Sequence, residues 1–397
     1  MVKLHGGIEK VPLERSEAMP LIPPMNLTRT GYGTWSGGRY MHFGEVLDED
    51  RYQECIRVAY NAGIRTFVTA DVYGQGKADA ALGEVLSEFP RDSYCLVGML
   101  GHDFVDGERE GSKGYPRFTN PSLRPAAGYL DFLRRACESS LKDCRTDHFD
   151  LVMLHNPDEI GYTSDAVWKG MNGLKEEGLS HRLGIAPGPA NGFTLDLLHV
   201  FENFGEVLDW AMIILNPLEP WPGQHVLSSA QANKVDILTR VVDYGGLFHG
   251  DMKPGHEFRP GDHRSYRPEG WVERGNDAMA PMRAIAEKHD LSMIQFASAW
   301  NLSQDPVKCV VPTVIQEAGD DAVPIEDKIR DYAATPEEFR FSAEEIETIR
   351  AMGDNTGCMM LKGASNRHEG PCDRPDEWPM REGLLQLAGQ YGLTKEW

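Results

Sequence analysis

Thr66-Phe67-Val68-Thr69-Ala70-Asp71-Val72-Tyr73-Gly74 is the stretch on which the reading of this chain turns. Its first five residues are apolar or β-branched, the composition of a short buried strand. After Ala70 it turns polar and aromatic, and Gly74 breaks it. Lys77–Glu88 then carries apolar residues at helical spacing. A strand whose polar residues gather at its carboxyl end, followed at once by an amphipathic helix, is the βα unit of a parallel sheet.

The same alternation extends in both directions. Strands are predicted at Asn26–Thr34, Thr66–Ala70, Tyr94–Met99, Asp150–His155, Arg182–Ala186, Trp210–Leu215, Val235–Val241 and Lys308–Pro312. Amphipathic segments between them are Asp50–Ala62, Lys77–Glu88, Tyr129–Cys144, Ser164–Glu177, Thr194–Phe204, Ala230–Lys234 and Asp277–Gln304, and Ile325–Ala333 follows the last strand. Eight such units in one chain close into a (β/α)8 barrel, the TIM-barrel form of the α/β class, with functional residues at the carboxyl ends of the strands. The loops His102–Arg124, Phe248–Arg274 and Thr313–Pro324, after strands three, seven and eight, are long, and the first two are expected to overhang that mouth. The division expected is an N-terminal segment over residues 1–25, the barrel over 26–354 and a C-terminal tail over 355–397. The tail carries one short helical stretch, Arg381–Gln390, and is expected to drape over the barrel or to reach a neighbouring subunit in a homo-oligomer.

Composition narrows the function. Forty Lys plus Arg against sixty-one Asp plus Glu give a formal net charge of -21. That surface repels nucleic acid and anionic lipid. No apolar run is long enough to span a bilayer, and Met1–Pro24 lacks the apolar core of a signal peptide. The seven cysteines, Cys55, Cys95, Cys137, Cys144, Cys309, Cys358 and Cys372, are scattered and form no CxxC pair, which suits reduced thiols in a cytoplasm. A small-molecule ligand is the expected partner.

Four stretches, in order and at consistent spacing, give the sequence a family likeness. They are Gly31-Tyr32-Gly33-Thr34-Trp35; the opening stretch with Leu82-Gly83-Glu84; Asp150-Leu151-Val152-Met153-Leu154-His155-Asn156-Pro157; and Ile294-Gln295-Phe296-Ala297 with Trp300-Asn301-Leu302. Over about Asn26 to Gly353 the chain resembles aldo-keto reductases. The resemblance implies a site of four residues: a Tyr that gives the carbonyl its proton, a Lys and an Asp that tune it, and a His that orients substrate. A free phenol has a pKa near about 10, so a nearby cation matters. Tyr73 matches the acid and His155 the orienting residue, but Val68 stands at the Asp position and Met99 at the Lys position. Asp71 falls in the variable part of the motif.

The resemblance also implies a nicotinamide cofactor, and those positions are altered too. Ala186 and Pro187 replace a Ser-Asn pair, Met212 replaces a Gln, and Arg240 replaces an aromatic residue. The turn Gly245-Gly246-Leu247 is kept and is suited to a phosphate. The loop after the eighth strand, Thr313–Asp321, contains Glu317, Asp320 and Asp321 and no Lys or Arg. It is expected to repel a 2′-phosphate, so NAD(H) is expected ahead of NADP(H) if either binds.

Tyr73 and His155 are thus the candidate catalytic residues; Trp35, Arg240, Asn216 and Asp71 are candidates for substrate contact, and Gly245, Gly246 and Leu247 for a cofactor. Plainer readings stand beside them. Tyr73 fits a core aromatic, His155 a core imidazole satisfied by Asn156, and Arg240 an internal ion pair with Asp243 or Glu219. The loops also hold His102, Asp103, His249, Asp251, His256, Asp262 and His263, which would make a metal centre only if they converged with His155. No pair has ligand spacing, so no metal is expected. The altered tetrad favours non-redox acid–base chemistry on a polar, sugar-like substrate: elimination, hydration, epimerisation or hydrolysis. The alternative is an unorthodox NAD(P)H-dependent oxidoreductase acting on a carbonyl or sugar. A third reading is a binding subunit without catalysis.

Overall fold

The computed structural model describes residues 24–110, 114–188, 194–267 and 269–355, with residues 386, 389 and 390 beyond them. Eight strands form one parallel sheet in sequence order: β1 (Gly31–Gly33), β2 (Thr66–Ala70), β3 (Cys95–Leu100), β4 (Leu151–His155), β5 (Leu183–Ala186), β6 (Trp210–Ile214), β7 (Asp236–Arg240) and β8 (Val307–Val311). A parallel bridge between Thr30 and Val310 brings the first and last strands together. The helices are α1 (Glu49–Asn61), α2 (Lys77–Leu86), α3 (Tyr129–Asp143), α4 (Glu159–Thr163), α5 (Asp165–Glu176), α6 (Thr194–Phe204), α7 (Gln224–Asn233), α8 (Trp271–Lys288), α9 (Met293–Leu302), α10 (Ile325–Ala333) and α11 (Ala343–Met352). The fold is the expected (β/α)8 barrel.

Packing follows from side-chain alternation. One face of each strand joins the helices in an outer apolar layer. The other face fills the barrel with Val68, Val97, Met99, Leu151, Met153, Ala186, Met212, Leu238 and Val311, with Trp35 over them and Tyr73 packed at their edge. A barrel interior of this kind is a packed core, and its upper layer forms the floor of the mouth.

Several elements depart from expectation. The expected helix 277–304 is two helices. Asp290 takes a left-handed φ of 56°, and Ser292 with Gln295 forms a capping box that starts α9. Helix α7 begins earlier than expected because its exposed face is polar and its apolar stripe thin. Helix α4 is a single turn held by the Asp158 side chain, which accepts from the Gly161 amide at 2.8 Å. Only three residues of the expected first strand are regular. Before them Thr28 replaces ladder bonds with side-chain bonds: its amide donates to Thr66 Oγ1 at 2.8 Å, and its hydroxyl accepts from the Arg65 amide at 2.9 Å.

Of the tail, Asn355 is fastened to the loop after β6 by paired bonds with the Trp221 backbone, 2.9 and 2.8 Å. Most of the expected helical stretch 381–390, and residues 1–23, lie outside the described residues. Among the described residues no helix is long and apolar enough to cross a membrane.

Candidate active site

Tyr73 lies three residues beyond β2, in a turn whose Tyr73 amide donates to Ala70 O at 3.0 Å. Gly74 and Gly76 follow with φ of 62° and 84°; those left-handed values let the chain reverse into α2. His155 ends β4. The two rings meet edge to face with centroids 5.7 Å apart. Trp35 approaches Tyr73 at 6.5 Å, and His102, just past β3, approaches His155 at 5.0 Å. Four strand ends therefore deliver one aromatic cluster to the carboxyl-terminal mouth.

The floor beneath it is apolar. Val68 and Met99, at the positions the resemblance matches to an acid and a lysine, are 0% and 1% exposed. Burial pushes the Tyr73 phenol up to about 12, against a downward pull from the Arg240 guanidinium. The phenol is therefore protonated at neutral pH. Burial, reinforced by Arg117 and Arg240, pushes the His155 imidazole down to about 3, so it is neutral. His155 Nδ1 is buried without a hydrogen-bond partner. A core imidazole satisfied by Asn156 is thus not what the fold builds; Asn156 faces His102 instead, with its amide nitrogen 3.2 Å from His102 Nε2. His102 Nδ1 lies 3.2 Å from Arg117 Nη1 and accepts from it, since a guanidinium only donates. The Asn156 amide oxygen is buried without a partner.

Arg240 ends β7. It makes no ion pair with Asp243 or Glu219. Asp243 accepts from the Thr313 amide at 2.8 Å, while Glu219 accepts from Asn216 at 3.0 Å and stands 3.7 Å from Arg267. The Arg240 side chain crosses to the end of β5, where Nη2 donates to Pro187 O at 3.0 Å and Gly188 O at 2.7 Å. Its Nε is buried without a partner. Burial lowers its pKa, and Tyr73 and Tyr162 raise it; the guanidinium and the phenol thus feel each other directly.

Three expected contacts lie elsewhere. Asn216 is buried and fully engaged: its amide nitrogen donates to Glu219 and to Val241 O, both at 3.0 Å, and its oxygen accepts from Leu218 N at 2.9 Å. It shapes the loop after β6 and is not available to substrate. Asp71 lines a cavity of roughly 180 Å³ together with Asp79, His102, Phe104 and Phe132. Its carboxylate oxygens have no partner, and burial and then Asp79 drive its pKa well up. Gly245 and Gly246 do turn with φ of 69° and 100°, but their open face is covered. A Cβ on Gly246 would lie 3.2 Å from Glu317 Oε1 and 3.3 Å from Arg264 Nη1, and one on Gly245 would touch Arg264, Arg267 and Trp271 at 3.6 Å. Leu247 is wholly buried in the outer core.

The long loop after β7 makes this cover. Arg264 donates to Glu317 Oε2 at 2.9 Å and to Asp262 Oδ2 at 2.8 Å, and all three side chains are buried. His256 stands 3.4 Å from Glu317. Burial pushes Glu317 up, but bonds from His256 and Arg264 outweigh it and hold its pKa at about 2. Lys328 of α10 pairs with Asp251 at 2.6 Å and donates to Ile315 O at 2.7 Å. The loop after β8 has no cation of its own, yet cations are brought to it from remote parts of the chain. Those cations are already paired with Asp262, Glu317 and Asp251. The loop residues weighed for a metal are dispersed in the same way: Asp103 pairs with Arg124, His263 packs on His42, and only His102 reaches His155. Sequence reasoning missed Arg264 and Arg117, since loop residues have no periodicity, and it considered His102 only as a ligand.

The barrel thus brings a phenol and an imidazole side by side at the carboxyl ends of its strands. The model of the aldo/keto reductase family matches residues 29–353, and the chain belongs to that family. It is similar to the aldo-keto reductase YhdN of Bacillus subtilis, 24% identical over 282 residues, 70% of this chain and 78% of that protein. It is also similar to the NADH-specific methylglyoxal reductase of Escherichia coli, 24% identical over 310 residues, 75% and 86% of the two chains. Among solved structures, the glycerol dehydrogenase AKR11B4 from Gluconobacter oxydans superposes with a TM-score of 0.63 at 25% identity, covering 82% of this chain and 91% of that one.

Proposed function

We propose that the mouth is a carbonyl-polarising site and that the protein is an oxidoreductase acting on a carbonyl, or on the corresponding hydroxyl, of a small polar, sugar-like molecule. The observation that carries this is the state of the Tyr73–His155 pair: a protonated phenol and a neutral imidazole, side by side at the mouth. Two neutral donors converging on one oxygen polarise a carbonyl. An imidazole held near about 3 is a poor base at neutral pH. That weighs against the elimination and epimerisation chemistry that the altered tetrad suggests. Membership of a family whose named relatives include reductases and dehydrogenases supports the same reading.

In this reading Arg240 takes the part of the cation missing at Met99. It approaches from β7 rather than β3, and its field lowers the cost of phenolate formation as Tyr73 gives up its proton. Trp35 walls the site, and His155 orients the substrate oxygen.

The nicotinamide dinucleotide that the family implies supplies a hydride when bound. The residues present do not fit it as they stand. Arg240 spans the position between β5 and β7 where the ring would lie, and Arg264 with Glu317 covers the glycine turn where the phosphates would lie. No step here is routed through it. This poor fit favours a second reading at the same site: a binding function without catalysis, in which Arg240 faces an anionic oxygen of the ligand. Turnover of a panel of aldehydes, ketones and sugars, with NADH, with NADPH and with neither, separates the two. Reduction that needs a nicotinamide supports the first reading. Ligand binding with no turnover under any of the three conditions supports the second.

A further inference from the structure

The amino-terminal end of the barrel, opposite the mouth, carries a cluster that the chemistry above does not use. His148 and Asp150 immediately precede β4, and His181 lies just before β5. One ligating atom from each of the three lies within 4.8 Å of the other two. The imidazoles of His148 and His181 have centroids 4.4 Å apart.

Each group is prepared as a ligand in its own way. His148 Nδ1 is 2.7 Å from Asp147 Oδ1. An Nδ1–H directed at a carboxylate leaves Nε2 with its lone pair, the usual outer support of a metal-bound imidazole. His181 Nδ1 is buried and has no hydrogen-bond partner. The Asp150 carboxylate is fixed through Oδ2 by Arg91 at 2.9 Å and by the Leu96 amide at 2.8 Å. A buried nitrogen with no partner is costly, and a cation shared with the neighbouring imidazole and carboxylate removes that cost.

We propose that His148, Asp150 and His181 form a site for a divalent transition-metal ion, zinc being the best match, which clamps the starts of β4 and β5. Two imidazole nitrogens and a carboxylate oxygen suit Zn²⁺, with water as the fourth ligand. Arg91, 2.9 Å from Asp150 Oδ2, brings a positive charge beside the site that weakens cation binding. The site is therefore weaker than a closed four-ligand zinc site. Its location, away from the mouth, makes its role structural.

The test uses the full chain, with Zn²⁺ titrated by calorimetry and Co²⁺ by its visible absorption. One equivalent of metal is expected to bind with the spectrum of a four-coordinate Co²⁺ centre and to raise the thermal midpoint. His148→Ala and His181→Ala remove that equivalent, and His102→Ala/His155→Ala, at the mouth, keeps it. Asp147→Asn alters only an outer partner, exposed enough to be without consequence for folding, and weakens binding by about tenfold or more. Equal binding by the wild type, His148→Ala and Asp147→Asn would overturn the proposal, as would loss of the metal only in the mouth variant.

Discussion

The two halves of the barrel mouth are built on opposite principles. On the β2–β4 side, Tyr73, His155 and His102 meet as neutral rings over an apolar floor, and His155 Nδ1 and Asp71 are left without hydrogen-bond partners. On the β7–β8 side, Arg264, Asp262, Glu317, Lys328 and Asp251 are buried charges tied to one another. The first half keeps polar atoms unspent and has what a substrate needs. The second ties its charges to one another, although Arg240 Nε, Asp243 Oδ2, His249 Nε2 and Asp251 Oδ1 are still without partners. Unsatisfied groups cost stability and are retained where they work; buried ion pairs hold a loop in one place.

The largest expected effect comes from breaking the charged half. Arg264→Met leaves Asp262 and Glu317 buried without their cation, and a loss of about 3–5 kcal/mol in denaturant unfolding is expected. The same variant uncovers Gly246, so NADH and NADPH are expected to bind more tightly than to the wild type in calorimetric titration. Unchanged cofactor affinity would mean that the cover is not what limits binding. The pH dependence has a definite sign. The Glu317 pKa falls on folding, from 4.5 to about 2. Its contribution is therefore fully present above the unfolded value and is lost as pH falls from about 4.5 toward 2, a loss that Glu317→Gln should not show.

A smaller effect is expected at Arg240. If it tunes Tyr73, Arg240→Met lowers kcat by about tenfold or more with little change in KM, and Arg240→Lys restores part of the loss. If it grips an anionic substrate instead, KM rises and kcat holds.

Asp71→Asn has the smallest expected effect and the opposite sign, since the unpartnered carboxylate is destabilising once ionised. The pKa is raised on folding, so the cost is absent below 3.8 and grows as pH rises above it. The variant should be about 1–3 kcal/mol more stable at neutral pH. A stability difference independent of pH would show that ionisation is not its source.

The contrast also explains what could be read from sequence. Every strand was legible, because a barrel strand is a short apolar run and its register follows from alternation. Helix α6 was legible at both ends, but the break between α8 and α9 was missed, because the capping pair Ser292 and Gln295 lies inside a stretch that reads as one continuous helix. Tyr73 and His155 were singled out by the family resemblance and not by any local periodicity, and the fold brings them side by side at the ends of β2 and β4. The roles of Arg264, Arg117 and Lys328 were not. Their partners lie 53, 39 and 13 residues away, and loops carry no period from which such pairings follow. Asn216 misled for the same reason: a polar residue at a strand end reads as a ligand until its neighbours are known.

The most direct test of the central claim, a protonated phenol and a neutral imidazole polarising a carbonyl, is the pH–rate profile of carbonyl turnover in the wild type, Tyr73→Phe and His155→Ala. The account predicts a wild-type profile with no limb near 6.5, because His155 is held near about 3. It also predicts a loss of at least about 10²-fold in Tyr73→Phe. A limb near 6.5 that vanishes in His155→Ala, with Tyr73→Phe unaffected, would make His155 a titrating base and contradict it.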